Sequence, residues 1–124
     1  MKLLASEVDV LAVVLDWLNT LPQTRVWRQN VGGREYLKAN GRKGIVHFGQ
    51  PGMADLSGIC HGLRLEVEIK RKGQKPKPLQ DEWLAFIQHY RGLGFWCDSL
   101  DSCVVAIRAE FWVHGWEWKK SFEP

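Results

Sequence analysis

A chain of 124 residues can bury one hydrophobic core but not two, so a single domain spanning 1–124 is expected. With 45% hydrophobic and 25% charged residues, the composition excludes disordered and fibrous classes. A net charge of +3 is too small to imply a polyanionic partner by itself, so the placement of the charge has to decide.

The opening MKLLASEVDVLAVVLDWL has the apolar look of a leader, but Glu7, Asp9 and Asp16 interrupt it. No stretch reaches the roughly 20 apolar residues that span a bilayer, so no membrane association is expected. Ser6 with Asp9 has the pattern of a capping box and predicts a helix from Glu7 to Leu21. Val8, Leu11, Leu15 and Leu18 form one apolar stripe on it, and Val10, Val14, Trp17 and Leu21 a second. A helix apolar around so much of its circumference needs cover from two sides, which in so small a chain predicts a homodimer.

TRVWRQN, Thr24 to Asn30, is rich in strand formers and alternates. VGGREYLKANGRKG then predicts a polar, glycine-punctuated loop carrying Arg34, Lys38, Arg42 and Lys43. IVHF, Ile45 to Phe48, reads as a short strand, and GQPGMADLSGI turns into another that begins near Asp55. In LRLEVEIK, Leu63, Leu65, Val67 and Ile69 point one way and Arg64, Glu66, Glu68 and Lys70 the other, because strand side chains alternate. Pro78 opens a helix in which Leu79, Trp83, Phe86, Ile87 and Tyr90 recur at helical spacing up to Gly92 and Gly94. FWCD is a short strand, and Ser99 with Ser102 begins a last helix that Gly115 ends. WEWKKSFEP carries no assignable signal. The order, roughly α-β-β-β-α-β-α, is that of an α/β layer structure.

Cys60, Cys97 and Cys103 are odd in number and form no C-x-x-C pair, which points to reduced thiols and a cytoplasmic protein. Cys60, His61, Cys97 and His114 lack the paired spacing of a zinc site. His47 and His61 have no partner motif and read as structural or surface residues. Trp27, Trp96, Trp112, Trp116 and Trp118 are able to stack on unpaired bases. Packing is the more common fate of tryptophan and is expected of Trp17 and Trp83 above all.

A row of alternating charges on a strand is usually solvated surface. Three features of Arg64-Leu65-Glu66-Val67-Glu68-Ile69-Lys70 point elsewhere. Asp55 follows a tight turn that brings it beside the strand end holding Glu68, and two carboxylates about 5 Å apart repel by roughly 3 kcal/mol at an effective dielectric near 20. Such a pair calls for a cation such as magnesium or manganese. Lys70 lies about 6 to 7 Å from Glu68 along the same face, close enough to reach an attacking water or a phosphoryl oxygen. Arg71, Lys72, Lys75 and Lys77 follow at once, kept extended by Gly73, Pro76 and Pro78, as a phosphate backbone would require.

Asp55 followed thirteen residues later by Glu68-Ile69-Lys70 resembles the D…E-x-K signature of the PD-(D/E)XK nuclease superfamily. The blocks VWRQN, HFGQPGMADLSGI and LRLEVEIKRKGQKPKPLQDEWLAFIQ resemble, in order, those of the VRR-NUC nucleases, including their small phage-encoded stand-alone members. The similarity runs from about Glu7 to Ile107. It implies a restriction-endonuclease-like core, a central mixed sheet flanked by helices, and a Mg2+- or Mn2+-dependent DNA endonuclease selective for branched DNA such as four-way junctions. It needs no organic cofactor and, if the chain is phage-borne, works in the host cytoplasm.

Carried over residue by residue, the family pattern makes Asp55 and Glu68 the metal ligands, with the Ile69 carbonyl as a third. Lys70 orients or activates water, and Gln80 reaches the site from the start of the following helix. Glu7, with Asp9 as the substitute, is a first-helix acid that reaches the metal directly or through water. Its alternative role is a helix-dipole acid. Arg28, Asn30, Arg34, Arg42 and Lys43 are expected backbone contacts beside Arg71, Lys72, Lys75 and Lys77, though each also serves as ordinary solubilising charge. Ala54 stands where the family has proline, and Glu66 adds a carboxylate that either supports Lys70 or pairs with Arg64. A two-fold dimer would match the two-fold symmetry of a four-way junction. The residues alone set no choice between DNA and RNA. Two rivals remain: a nuclease-like fold that binds nucleic acid without cutting it, and a structural α/β protein whose charged strand is solvated surface.

Overall fold

A computed structural model describes residues 6–29, 32–48, 50 and 52–124, with side chains described for all of these except 32–34 and 46–48. The elements in chain order are α1 (Glu7–Leu18), β1 (Thr24–Arg28), β2 (Gly32–Leu37), β3 (Lys43–Phe48), β4 (Leu56–Cys60), β5 (Leu63–Ile69), α2 (Pro78–His89), β6 (Leu93–Cys97), α3 (Leu100–His114) and a 3-10 turn, Lys120–Phe122. Three helices flank a mixed four-stranded sheet ordered β1-β4-β5-β6, and β2 and β3 form a separate hairpin. β1, β4 and β5 pair antiparallel, and β5 pairs parallel with β6, the crossover between them being α2.

The capping box of α1 forms as expected: Ser6 Oγ accepts from the Asp9 amide, and Asp9 Oδ2 accepts from the Ser6 amide. The helix stops at Leu18, short of the expected Leu21. Asn19 ends it because its side-chain amide is taken by β1, accepting from Val26 N–H at 2.8 Å and donating to Val26 C=O at 3.0 Å. The segment expected to be a loop contains β2, whose six residues pair in register with β3 from Gly32–Phe48 to Leu37–Lys43. Its turn closes on Asn40, whose Oδ1 accepts from the Arg42 amide, and on Gly41 at φ +80°.

The two faces of the sheet follow from strand period. Leu65, Val67 and Ile69 of β5, Leu56 and Cys60 of β4 and Leu93, Phe95 and Cys97 of β6 pack with Val10, Val14, Trp17 and Leu18 of α1 and Cys103, Ile107 and Phe111 of α3. Leu18 of the first stripe is buried, with Leu11 and Leu15 packed against the core and only Val8 exposed, at 65%, while the Val10–Val14–Trp17 stripe lies wholly in the core. That stripe is covered by the chain itself. Residues 116–122 return over it, with the Trp17 indole donating to the Phe122 carbonyl at 2.8 Å and Trp118 ringed by Trp17, Phe111 and Phe122. The second stripe is thereby covered within one chain, while Val8 and Val13 of α1 stay exposed.

α2 lies on the opposite face. Leu84 and Ile87 are its buried residues, while Leu79, Phe86 and Tyr90 of the expected stripe face outward. The helix sits close because Gly94 of β6 has no side chain: a Cβ there would stand 2.9 Å from the Leu84 carbonyl oxygen. No helix among the described residues is long and apolar enough to cross a membrane.

Candidate active site

Beneath α2 lies the charged row of β5. Glu66 is fully buried, Glu68 is 2% exposed and Lys70 is 9% exposed, so the row is no solvated surface. Removing charges from water costs several kcal/mol per ion unless partners compensate, and the partners here are specific. Glu66 accepts from the Trp83 indole at 2.8 Å and pairs with Arg64 at 3.6 Å. It therefore anchors α2 and pairs with Arg64, and the ion pair of Lys70 is made with Glu68.

Glu68 Oε1 receives Gln80 Nε2 at 3.1 Å and Lys70 Nζ at 3.7 Å. The orientation of the Gln80 amide is not arbitrary. Its Oε1 accepts from the Lys77 backbone N–H at the start of α2, at 2.8 Å, which leaves the NH2 group to face Glu68. Glu68 Oε2, by contrast, is buried and receives no N–H donor among the described residues, and the carboxyl's other close neighbour is that of Asp55, with which it can share a proton. Burial pushes the Glu68 carboxyl up to about 8 from the usual 4.5, helped by the hydrogen bond and charge of Asp55 and by the charge of Glu7, against the pull of Lys70.

Asp55 is brought there by register. The ladder from Cys60–Leu63 to Leu56–Val67, continued by one step, sets Asp55 opposite Glu68, and the Ile69 amide donates to Asp55 Oδ2 at 2.8 Å. The turn before it depends on Gly52 at φ +84°, where a side chain would also collide with the Leu79 carbonyl of α2. Of the two first-helix acids, Asp9 is engaged by the capping box, and Glu7 is the one whose charge is felt by Glu68.

The two carboxylates open on a cleft of about 640 Å³ lined by Asp55, Glu68, Gln80, Arg28, Gln29, Lys77, Pro78, Leu79, Gly52 and Met53. The first turn of α2 forms one wall, where the Leu79 and Gln80 amides lack intrahelical acceptors, so that wall favours an anion. Among the expected phosphate contacts, Arg28 and Lys77 line the cleft. Arg71, Lys72 and Lys75 are exposed on the segment leading into α2, and Arg42 and Lys43 are exposed on the hairpin. Arg34 lies on β2 with its side chain outside the described residues, as does Asn30 altogether.

The donor set fits a hard divalent cation: two buried or half-buried carboxyl groups within hydrogen-bond reach of each other, beside the Ile69 peptide. Among the described residues no three of His, Cys, Asp and Glu stand together as a ligand cluster, so backbone or water oxygens would complete the shell. Cys60 and His61 instead touch each other at 3.4 Å, and the three thiols are free and buried. His61 lies in the β4–β5 turn at φ +51° and stacks on Trp116.

Two residues escaped the sequence reading. Trp83, expected in the core, is a hydrogen-bond donor to a buried carboxylate. Ser57, opposite Glu66 in the ladder, is fully buried, and its hydroxyl has no partner among the described residues. Strand alternation places Ser57 on the Glu66 face, but only the packed helix shows that this face is covered. No protein-family model matches the sequence, and no curated protein matches it.

Proposed function

We propose that the chain is a metal-dependent nuclease of the VRR-NUC type on a restriction-endonuclease-like core, hydrolysing phosphodiester bonds in DNA, with branched DNA as substrate and a homodimer as the working form. The observation that carries this reading is the buried Glu68 carboxyl set within hydrogen-bond reach of the Asp55 carboxyl and beside Lys70, at the wall of a cleft with cationic side chains. A fold with no use for this group would be better served by an apolar residue there.

A bound Mg2+ or Mn2+, held by Asp55, Glu68 and the Ile69 carbonyl with Glu7 reaching it through water, would supply a polarised phosphoryl oxygen and a more acidic water. The chain's own groups do the rest. Gln80 holds Glu68 Oε1 in place, and the Ile69 amide fixes the Asp55 carboxylate. The Lys70 ammonium orients the attacking water and places positive charge where negative charge grows on the phosphoryl oxygens. Arg28 and Lys77 hold the flanking phosphates.

The test is cleavage of labelled four-way junction, flap, duplex and single-stranded DNA with Mg2+, Mn2+ or EDTA. Wild type cuts with either metal and not with EDTA. Lys70→Ala and Glu68→Ala lose at least about a hundredfold in rate while still retarding junction DNA in a gel. Cutting by either variant at the wild-type rate removes the assignment, and binding without cutting by wild type replaces the nuclease with a binding module.

A further inference from the structure

Beside the catalytic cleft lies a smaller pocket of about 220 Å³, formed by Gln50, Leu79, Glu82, Trp83 and Phe86. Leu79 lines both cavities, so the two are adjacent along α2. The pocket is smaller than the roughly 300 Å³ at which sites for drug-sized ligands begin, which limits it to about one planar ring system. Trp83 and Phe86 are stacked with ring centroids 5.4 Å apart and planes at 26°, and Phe86 is half exposed. Trp83 cannot turn away, because its indole is held by Glu66.

We propose that this pocket seats one unpaired nucleobase of the strand being cut, stacked on the Trp83–Phe86 surface while the adjoining phosphate lies in the cleft. The inference rests on the nuclease reading and names the substrate that site selects. The polar groups of the pocket fit a base edge. Glu82 is acceptor-only when ionised, and Gln50 offers both donor and acceptor. Bases with an exocyclic amino group satisfy Glu82. Thymine does not, since its one ring N–H is flanked by two carbonyl oxygens that a carboxylate repels. Stacking supplies the affinity, the carboxylate supplies a bias against thymine, and fully paired DNA gains neither.

Phe86→Leu keeps apolar volume, removes the ring face and alters no residue of the cleft. Wild type and Phe86→Leu are compared, with Mn2+, on a fully paired four-way junction and on the same junction with one unpaired cytosine or thymine at the branch. Wild type is expected to cut the cytosine substrate fastest, and Phe86→Leu to lose roughly tenfold on it while matching wild type on the paired junction. Glu82→Gln is expected to lose the preference for cytosine over thymine. If wild type cuts but Phe86→Leu loses nothing on the unpaired substrate, the pocket assignment falls and the nuclease stands. If wild type neither binds nor cuts any of them, the nuclease reading falls and takes the pocket with it. If Phe86→Leu instead converts a dimer to monomer in ultracentrifugation with cleavage unchanged, the surface belongs to a second copy of the chain and the proposal is overturned.

Discussion

The two faces of β5 are buried to the same degree and built on opposite terms. Leu65, Val67 and Ile69 meet α1 and α3 through apolar contact, and the polar atom left without a partner on that side is the Trp118 indole nitrogen, among the described residues. Glu66 and Glu68 meet α2 through a short list of directed bonds, from Trp83 and Gln80, and the list is incomplete: Glu66 Oε2, Glu68 Oε2 and Ser57 Oγ receive no N–H donor among the described residues. One face holds the fold together, and the other carries polar groups that something outside the chain can complete. Burial alone therefore does not distinguish core from site; the balance of donors and acceptors does.

Mutations on the two faces should move stability in opposite directions. Leu65→Ala, on the apolar face, is expected to cost about 2–5 kcal/mol in urea unfolding, and a cost below 1 kcal/mol would mean the core is less closely packed than described. The next effect is that of pH. The folded chain holds the Glu68 proton more tightly than the unfolded one, so in EDTA this carboxyl makes stability fall as pH rises from its ordinary 4.5 towards 8. Each unit is worth about 1.4 kcal/mol, and Glu68→Gln, which cannot ionise, should show a flatter profile and overtake wild type at the alkaline end. Parallel profiles for the two proteins would remove Glu68 as the cause. The smallest effect belongs to Ser57→Ala, expected to be neutral or stabilising by up to about 1 kcal/mol. A loss of that size would reveal a partner for the hydroxyl.

Much of this site was legible from local spacing, because a strand's period is fixed by its backbone. The alternation from Leu63 to Lys70 assigned Glu68 and Lys70 to one face, and the turn before Asp55 brought the second carboxylate to it. Gln80 was named only through resemblance, since nothing in its own neighbourhood says that it will meet Glu68 across twelve residues. What covers a face was not legible at all. Of the residues at helical spacing on α2, Ile87 is buried beside Leu84, while Leu79, Phe86 and Tyr90 face out. Likewise β2 was hidden by its glycines, and the tail after Gly115 shows no period because it packs as single aromatic side chains around Phe111.

The bond from the Trp17 indole to the Phe122 carbonyl joins positions 105 residues apart. Contacts of such separation set the pace of folding, since the loop they close must be ordered before they contribute. Chain growth thus runs opposite to completion: α1, which brings Glu7 towards Glu68, is made first and clasped last. A nascent chain stopped between residues 70 and 116 has the Asp55 and Glu68 strands in hand but an unclasped first helix. Stalled or truncated products should accordingly expose Val14 and Trp17, making them targets for proteolysis, with the acidic pocket still missing its third charge.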